Sequence, residues 1–135
     1  MSQENVELVR EAFDAYNREG INGILRYLDP EVKFVVVDGP EPGTWTGLAD
    51  LAHAVRPILA SWRDYHYAVD EYRELDGGRV LVLFRRSGRG KTSGLEIDQL
   101  GGKGADLFHV RGGKVTRLIN YWDRDRALAD LGLEG

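Results

Sequence analysis

Two aspartates stand where the hydrophobic pattern leaves little room for a charge. Asp38 closes the alternating segment Val32 to Asp38, and Asp106 opens the stretch ADLFHVRGGKVTRLINYWD, Ala105 to Asp123. Apolar residues recur at every second position in both, the pattern of half-buried strands. An ionised carboxyl among aromatics is expensive unless it is paired, so an inner face carrying both residues reads as a pocket rather than a plain core. Two carboxyls in such a pocket can do general acid–base work. The competing reading is structural, with Asp38 capping the glycine-rich loop that follows it and Asp106 paired with Arg117 or Lys103.

The turn at Arg111-Gly112-Gly113 decides which way Asp106 points, because a one-residue slip moves every side chain to the other face of a sheet. A three-residue loop with Gly113 left-handed, a type I turn with a G1 bulge, pairs Val110 with Lys114, Phe108 with Thr116 and Asp106 with Leu118. Asp106, Phe108, Leu118, Asn120 and Trp122 then share one face, and Leu107, His109, Val115, Ile119 and Tyr121 share the other. A two-residue Gly-Gly loop instead sets Asp106 opposite Ile119. Under the first register the outer face is too apolar to be left wet, and a homodimer packed through it is expected.

The preceding elements must position these residues. Val6, Val9, Phe13 and Tyr16 fall at helical spacing after Ser2, a capping residue, and Gly20 is a stop. A second short helix is expected from Ile21 to Leu28, ended by Asp29-Pro30. The strand Val32 to Asp38 includes Phe34 and leads into an ordered loop, Gly39 to Gly47, that holds Trp45. Leu48 to Trp62 is helical through Leu51, Val55 and Leu59, with a kink or restart at Pro57. Strands follow at His66 to Leu75, Val80 to Arg86 and near Leu95 to Leu100, with Gly101 to Gly104 as a bulge or small excursion. A final helix spans Asp123 to Leu131. Helices first and an antiparallel sheet second describe an α+β fold, a cone in which a curved sheet wraps the N-terminal helices.

At 135 residues the chain fits one domain, residues 1–135. Eighteen basic against 22 acidic side chains leave a formal charge of -4 and no long basic run, so no nucleic-acid partner is expected. The cluster RRSGRGK, Arg85 to Lys91, reads as a solvated loop. With no cysteine there is no disulfide or thiolate chemistry. His53, His66 and His109 lie on different elements without close ligand spacing, so no metal site is expected, although His66 can serve as an acid or base at the pocket mouth. No apolar run reaches bilayer length and the N-terminus lacks a secretory core, so the expectation is a cytoplasmic protein with no membrane partner.

The order ENVELVREAFDAYNREGINGILRYLDPEVKF, PEPGTWTG, a helix, and HVRGGKVTRLINYWDRDRAL resembles the SnoaL-like group of the NTF2-like superfamily over nearly the whole chain. The resemblance implies the cone fold and a cofactor-independent isomerase, cyclase or dehydratase acting on a hydrophobic, enolisable carbonyl compound. Ketosteroid isomerase, which sets an aspartate base beside a protonated aspartate, is the relative whose roles carry over. Asp38, spaced from Gly47 as in that enzyme, is then the base; Asp106, in Asp-x-Phe before the Gly-Lys hairpin, is the hydrogen-bonding acid. This match favours the three-residue register. Ala12 stands where the isomerase has its tyrosine, and Tyr16 lies one turn along. Tyr16 completes the catalytic set, with Phe13, Phe34, Phe108, Leu118, Asn120 and Trp122 holding the substrate. The alternatives are a non-catalytic binding module for an apolar metabolite and a dimeric interaction domain.

Overall fold

Val9, Ala12, Phe13, Ala15 and Tyr16 form the buried stripe of α1, Ser2–Glu19, and the computed structural model lays that stripe against a sheet. Residues 2–38, 42–90 and 102–133 are described. Gly20, at a φ of 77°, turns the chain into α2, Ile21–Leu25. Gly23 packs against α1 so closely that a Cβ would meet the Ala15 carbonyl. That contact makes the two helices a tight hairpin.

The second helix stops earlier than expected. β1, Leu28–Val36, already includes Asp29 and Pro30. Proline is tolerated there because regular pairing with the neighbouring strand is interrupted between Leu28 and Lys33. The segment read as a loop contains β2, Gly43–Thr46, antiparallel to β1 with Trp45 opposite Phe34. α3, Leu48–Ser61, runs through Pro57 without restarting. Then come β3, Trp62–Leu75, and β4, Arg79–Gly90, followed by β5, Lys103–Arg111, and β6, Lys114–Tyr121. The strand expected near Leu95 to Leu100 lies outside the described residues. α4, Arg124–Leu131, is capped by the Asp123 side chain, which accepts from the Asp125 N–H.

Among the described residues one six-stranded sheet has the order β2-β1-β6-β5-β4-β3, antiparallel except for the parallel β1–β6 pair. The sheet is curved and unclosed, an α+β cone. Its inner face and the helices bury Val9, Phe13, Phe34, Val82, Phe84, Phe108 and Leu118 together. No helix among the described residues is long and apolar enough to cross a membrane.

The central hairpin reaches the expected face by another route. Gly112 and Gly113 both have positive φ, 59° and 78°, and form a two-residue turn that pairs Arg111 with Lys114. A register shift follows between His109 and Val110, with Thr116 as the extra residue and its hydroxyl donating to the His109 carbonyl. Beyond it Phe108 faces Leu118 and Asp106 faces Asn120, two residues from the expected pairing. The turn alone would have reversed the face, and the bulge restores it. Val115, on the turn side of the bulge, consequently belongs to the inner core and not to the outer face. On the outer face Leu81, Leu83, Ala105, Leu107 and Tyr121 pack with Ala127 and Leu128 of α4.

Candidate active site

The wall of the cone encloses a cavity of about 60 Å³. α1 contributes Phe13 and Tyr16, α2 contributes Ile21 and Ile24, and β1 contributes Leu28 and Phe34; Leu51, Tyr67 and Leu118 come from α3, β3 and β6. Asp106 and Asn120, opposite one another on β5 and β6, complete the lining.

Asp106 is 6% exposed. Asn120 Nδ2 donates to its Oδ1 over 2.6 Å. Burial drives the Asp106 pKa up to about 7, against the opposing effects of the Asn120 hydrogen bond and the positive charge of Arg86. The carboxyl is thus poised to exchange a proton near neutrality. Neither Arg117 nor Lys103 is its partner.

The sequence groups Arg86, the last residue of its expected strand, with the solvated cluster RRSGRGK, and the structure buries it instead. Val80, Val82, Phe84 and Arg86 alternate along β4, and all four are buried. The period-2 pattern that runs through the apolar residues carries the arginine inward with them. Its Nη2 donates to the Trp122 carbonyl over 2.9 Å and its guanidinium lies 4.2 Å from the centre of the Trp122 ring. Space for it exists because residue 104 is glycine: a Cβ there would collide with Arg86 Nη1 and sit 2.8 Å from the Tyr121 carbonyl oxygen. Arg85, one residue earlier, points outward and pairs with Asp70.

Asp38 lies past the end of β1, outside the cavity lining. Its Oδ1 accepts from the Trp122 N–H at 2.7 Å and its Oδ2 from the Asp123 N–H at 3.2 Å. With the Val37 N–H donating to the Asn120 carbonyl, these bonds carry the β1–β6 contact to the start of α4. Trp122 is therefore held on both sides of its own peptide unit, by Asp38 and by Arg86. Asp38 caps main-chain groups just past the end of β6; residues 39–41 of the loop that follows it lie outside the described residues.

Of the residues proposed from sequence, Phe13, Tyr16, Phe34, Asp106, Leu118 and Asn120 meet at the cavity. Phe108 does not; it is fully buried behind the wall, its ring edge-on to Phe13 at 5.6 Å. Trp122 lies under Arg86 rather than in the lining. Trp45 packs on Phe34 at 5.8 Å, and His53 is exposed. The side chains of Trp62 and His66 lie outside the described residues. Tyr67 was missed as a lining residue. Its strand was legible, but its place at the cavity depends on Asn17 of α1, whose amide donates to the Tyr67 carbonyl and accepts from the Tyr67 N–H.

The family model of the SnoaL-like domain matches residues 9–118. Among solved structures, an NTF2-like protein of unknown function from Burkholderia pseudomallei superposes with a TM-score of 0.74 at 21% identity, covering 93% of this chain and 95% of that one. A polyketide cyclase candidate from Xanthomonas campestris gives 0.68 at 23% identity, with 95% and 96% covered. A protein with a ketosteroid isomerase-like fold from Catenulispora acidiphila, in complex with trimethylamine, gives 0.71 at 18% identity, with 95% and 94% covered. A sequence comparison with curated proteins finds no match. The cone, its inward carboxyl and the match across most of the chain agree: this protein belongs to the SnoaL-like domain family.

Proposed function

We propose that the cavity is a proton-transfer site for a small enolisable carbonyl compound and that Asp106 carries the proton. The observation that supports this most is a carboxyl buried in an apolar cavity, with its pKa raised to about 7 and one oxygen engaged by Asn120. General acid–base catalysis is most effective when the group's pKa lies near the working pH. Asn120 orients Oδ1, which leaves Oδ2 to take the proton beside a carbonyl and return it at a second position, as in isomerisation, dehydration or aldol-type closure. Tyr16, Phe13, Phe34 and Leu118 pack the substrate against that oxygen. Asp38 acts by anchoring Trp122 and Asp123, so the proton chemistry rests on one carboxyl rather than the two that the resemblance implies.

The cavity's size favours a compact substrate. About 60 Å³ admits a few heavy atoms, and a fused ring system of the polyketide or steroid type requires the α2 or α3 wall to move. The trimethylamine held by the Catenulispora protein is a ligand of the smaller kind. The apolar lining also supports a second reading, a binding module for a small apolar metabolite without turnover.

Hydrogen–deuterium exchange beside the carbonyl of a panel of small ketones, followed by NMR in D2O, separates the two. The expected result is exchange catalysed by the wild type and at least a hundredfold slower with Asp106→Asn, while ketone binding is retained. Binding to both forms with no exchange by either identifies the binding module.

A further inference from the structure

Gly104 leaves a gap in the inner face of the sheet, immediately beside Asp106. Val82 pairs with Asp106 and Phe84 with Gly104 across β4 and β5, and Asp106 pairs with Asn120 across β5 and β6. The Arg86 guanidinium fills the gap: the atoms nearest to a Cβ at Gly104 are Arg86 Nη1, the Tyr121 carbonyl oxygen and Phe84 Cε1. Its centre is 4.2 Å from that of the Trp122 ring and 5.9 Å from that of Phe84. Nη2 donates to the Trp122 carbonyl, and Asp38 holds the N–H of the same residue. The cation is thereby fixed one inner-face place from Asp106, two residues along β5, or about 6.5 Å. Arg86 is 2% exposed and Asp106 6%, so little water screens one from the other.

Filling the gap does not require a charge. A methionine or leucine would occupy it without taking a guanidinium out of water, which is costly. What the arginine adds is a permanent positive charge beside the carboxyl. That charge favours the ionised form of Asp106, as the Asn120 hydrogen bond does, and opposes the effect of burial. Among the described residues the other groups around Asp106 are uncharged at neutral pH: Val82 opposite it on β4, Asn120 on β6, and Tyr16 and Tyr67 from α1 and β3 across the cavity. Arg124 of α4 reaches the Phe84 and Gly104 carbonyls, but it is paired with Asp70.

We infer that Arg86 is a positioning residue of the proton-transfer site: seated in the gap left by Gly104, it favours the ionised Asp106 carboxyl that accepts the substrate's proton. Its catalytic meaning rests on the proton-transfer reading of the cavity, whereas its electrostatic coupling to Asp106 does not. In the transfer Asp106 Oδ2 takes the proton from carbon, and the C–H electron pair becomes an enolate with its charge on the former carbonyl oxygen. The site thus carries one negative charge before and after the step. Arg86 lies beside that charge at both stages and exchanges no proton itself.

Carbon-detected NMR of the aspartate carboxyls in Arg86→Gln, Arg86→Met and Arg86→Lys tests this, with Asp106→Asn for assignment and circular dichroism to establish folding. Asp106 is expected to titrate about one unit above its wild-type position in the Gln and Met variants, and close to that position in Arg86→Lys, which keeps the charge. Gly104→Ala leaves Arg86 in the chain but puts a methyl in its place. It should move the titration the same way, and it carries the test where a neutral residue at 86 does not fold. In ketone exchange the pH limb should follow the carboxyl, so the neutral variants lose about fivefold at pH 7 and stay within a few-fold of the wild type at high pH. An Asp106 titration that stays in place in a folded neutral variant overturns the inference, as does an equal rise in Arg86→Lys. A titration that moves as expected, in a protein that exchanges no ketone, supports the coupling and overturns the proton-transfer reading instead.

Discussion

Asn120 and Asp106 face each other across β5 and β6, and the Asn120 amide donates to Asp106 Oδ1 over 2.6 Å. The bond satisfies one oxygen of a carboxyl that is otherwise walled by apolar side chains, and it opposes, without cancelling, the effect of burial on the Asp106 proton. Since the same burial raises the pKa and shapes the cavity, stability and chemistry are linked through this one group.

The linkage has a definite sign. Burial holds the Asp106 pKa at about 7 in the folded protein, against about 3.9 for a solvated aspartate in the unfolded chain. Below the lower value both states are protonated and the group is neutral to stability. As pH rises from there to about 7, the unfolded chain ionises while the folded one stays protonated, so folding becomes less favourable, by up to about 4 kcal/mol. Asp106→Asn removes this penalty. The expected outcome is a Tm difference in favour of the variant that is small at pH 4, grows to pH 7 and then levels off; a pH-independent difference would show that Asp106 is not raised.

Replacing Asn120 by Leu removes a donor that favours the charged carboxylate. The Asp106 pKa is then expected to rise further above about 7. Carbon-detected NMR of the aspartate carboxyls, assigned with Asp106→Asn, measures it directly. The base-dependent limb of any catalysed exchange should move to higher pH in step with the carboxyl titration.

Asp38 offers a separation of structural from chemical roles. Asp38→Ala leaves the Trp122 and Asp123 N–H groups without their acceptor, at a cost of about 2 kcal/mol. Asp38→Asn keeps one oxygen for Trp122 and should lose less in thermal unfolding. Ketone exchange by Asp38→Asn within tenfold of the wild type assigns proton transfer to Asp106 alone. Complete loss of exchange, with the fold intact, returns the base to Asp38.

The hairpin turn makes a conformational prediction. Nothing lies within 4 Å of a Cβ placed on Gly112 or Gly113, so only their positive φ resists substitution. Alanine at either position should cost about 1–2 kcal/mol, and asparagine at Gly112 less, because it tolerates the left-handed region. Equal effects of Ala and Asn in chemical denaturation would argue against this turn type.

Much of this architecture is written locally. The stripe Val9, Phe13, Tyr16 specifies the buried side of α1, the alternation through Phe34 and Val36 specifies β1, and Asp123 specifies the start of α4, because helix and strand periods and capping depend on near neighbours. The inward placement of Asp106 with Leu118 and Asn120 was also legible, although the turn and bulge that achieve it were not. Their two one-residue changes cancel in parity, and parity is all that a hydrophobic pattern records. Tertiary structure decided the rest. β2 is four residues long and takes its identity from pairing with β1. Asp38 finds its hydrogen bonds 84 and 85 residues away. Arg86, which the alternation of β4 points inward, is accommodated there because Gly104 of the neighbouring strand leaves room for it. The proton affinity of Asp106 depends on how completely distant helices and strands exclude water from its carboxyl, a property of the assembled cone that no local stretch of chain contains.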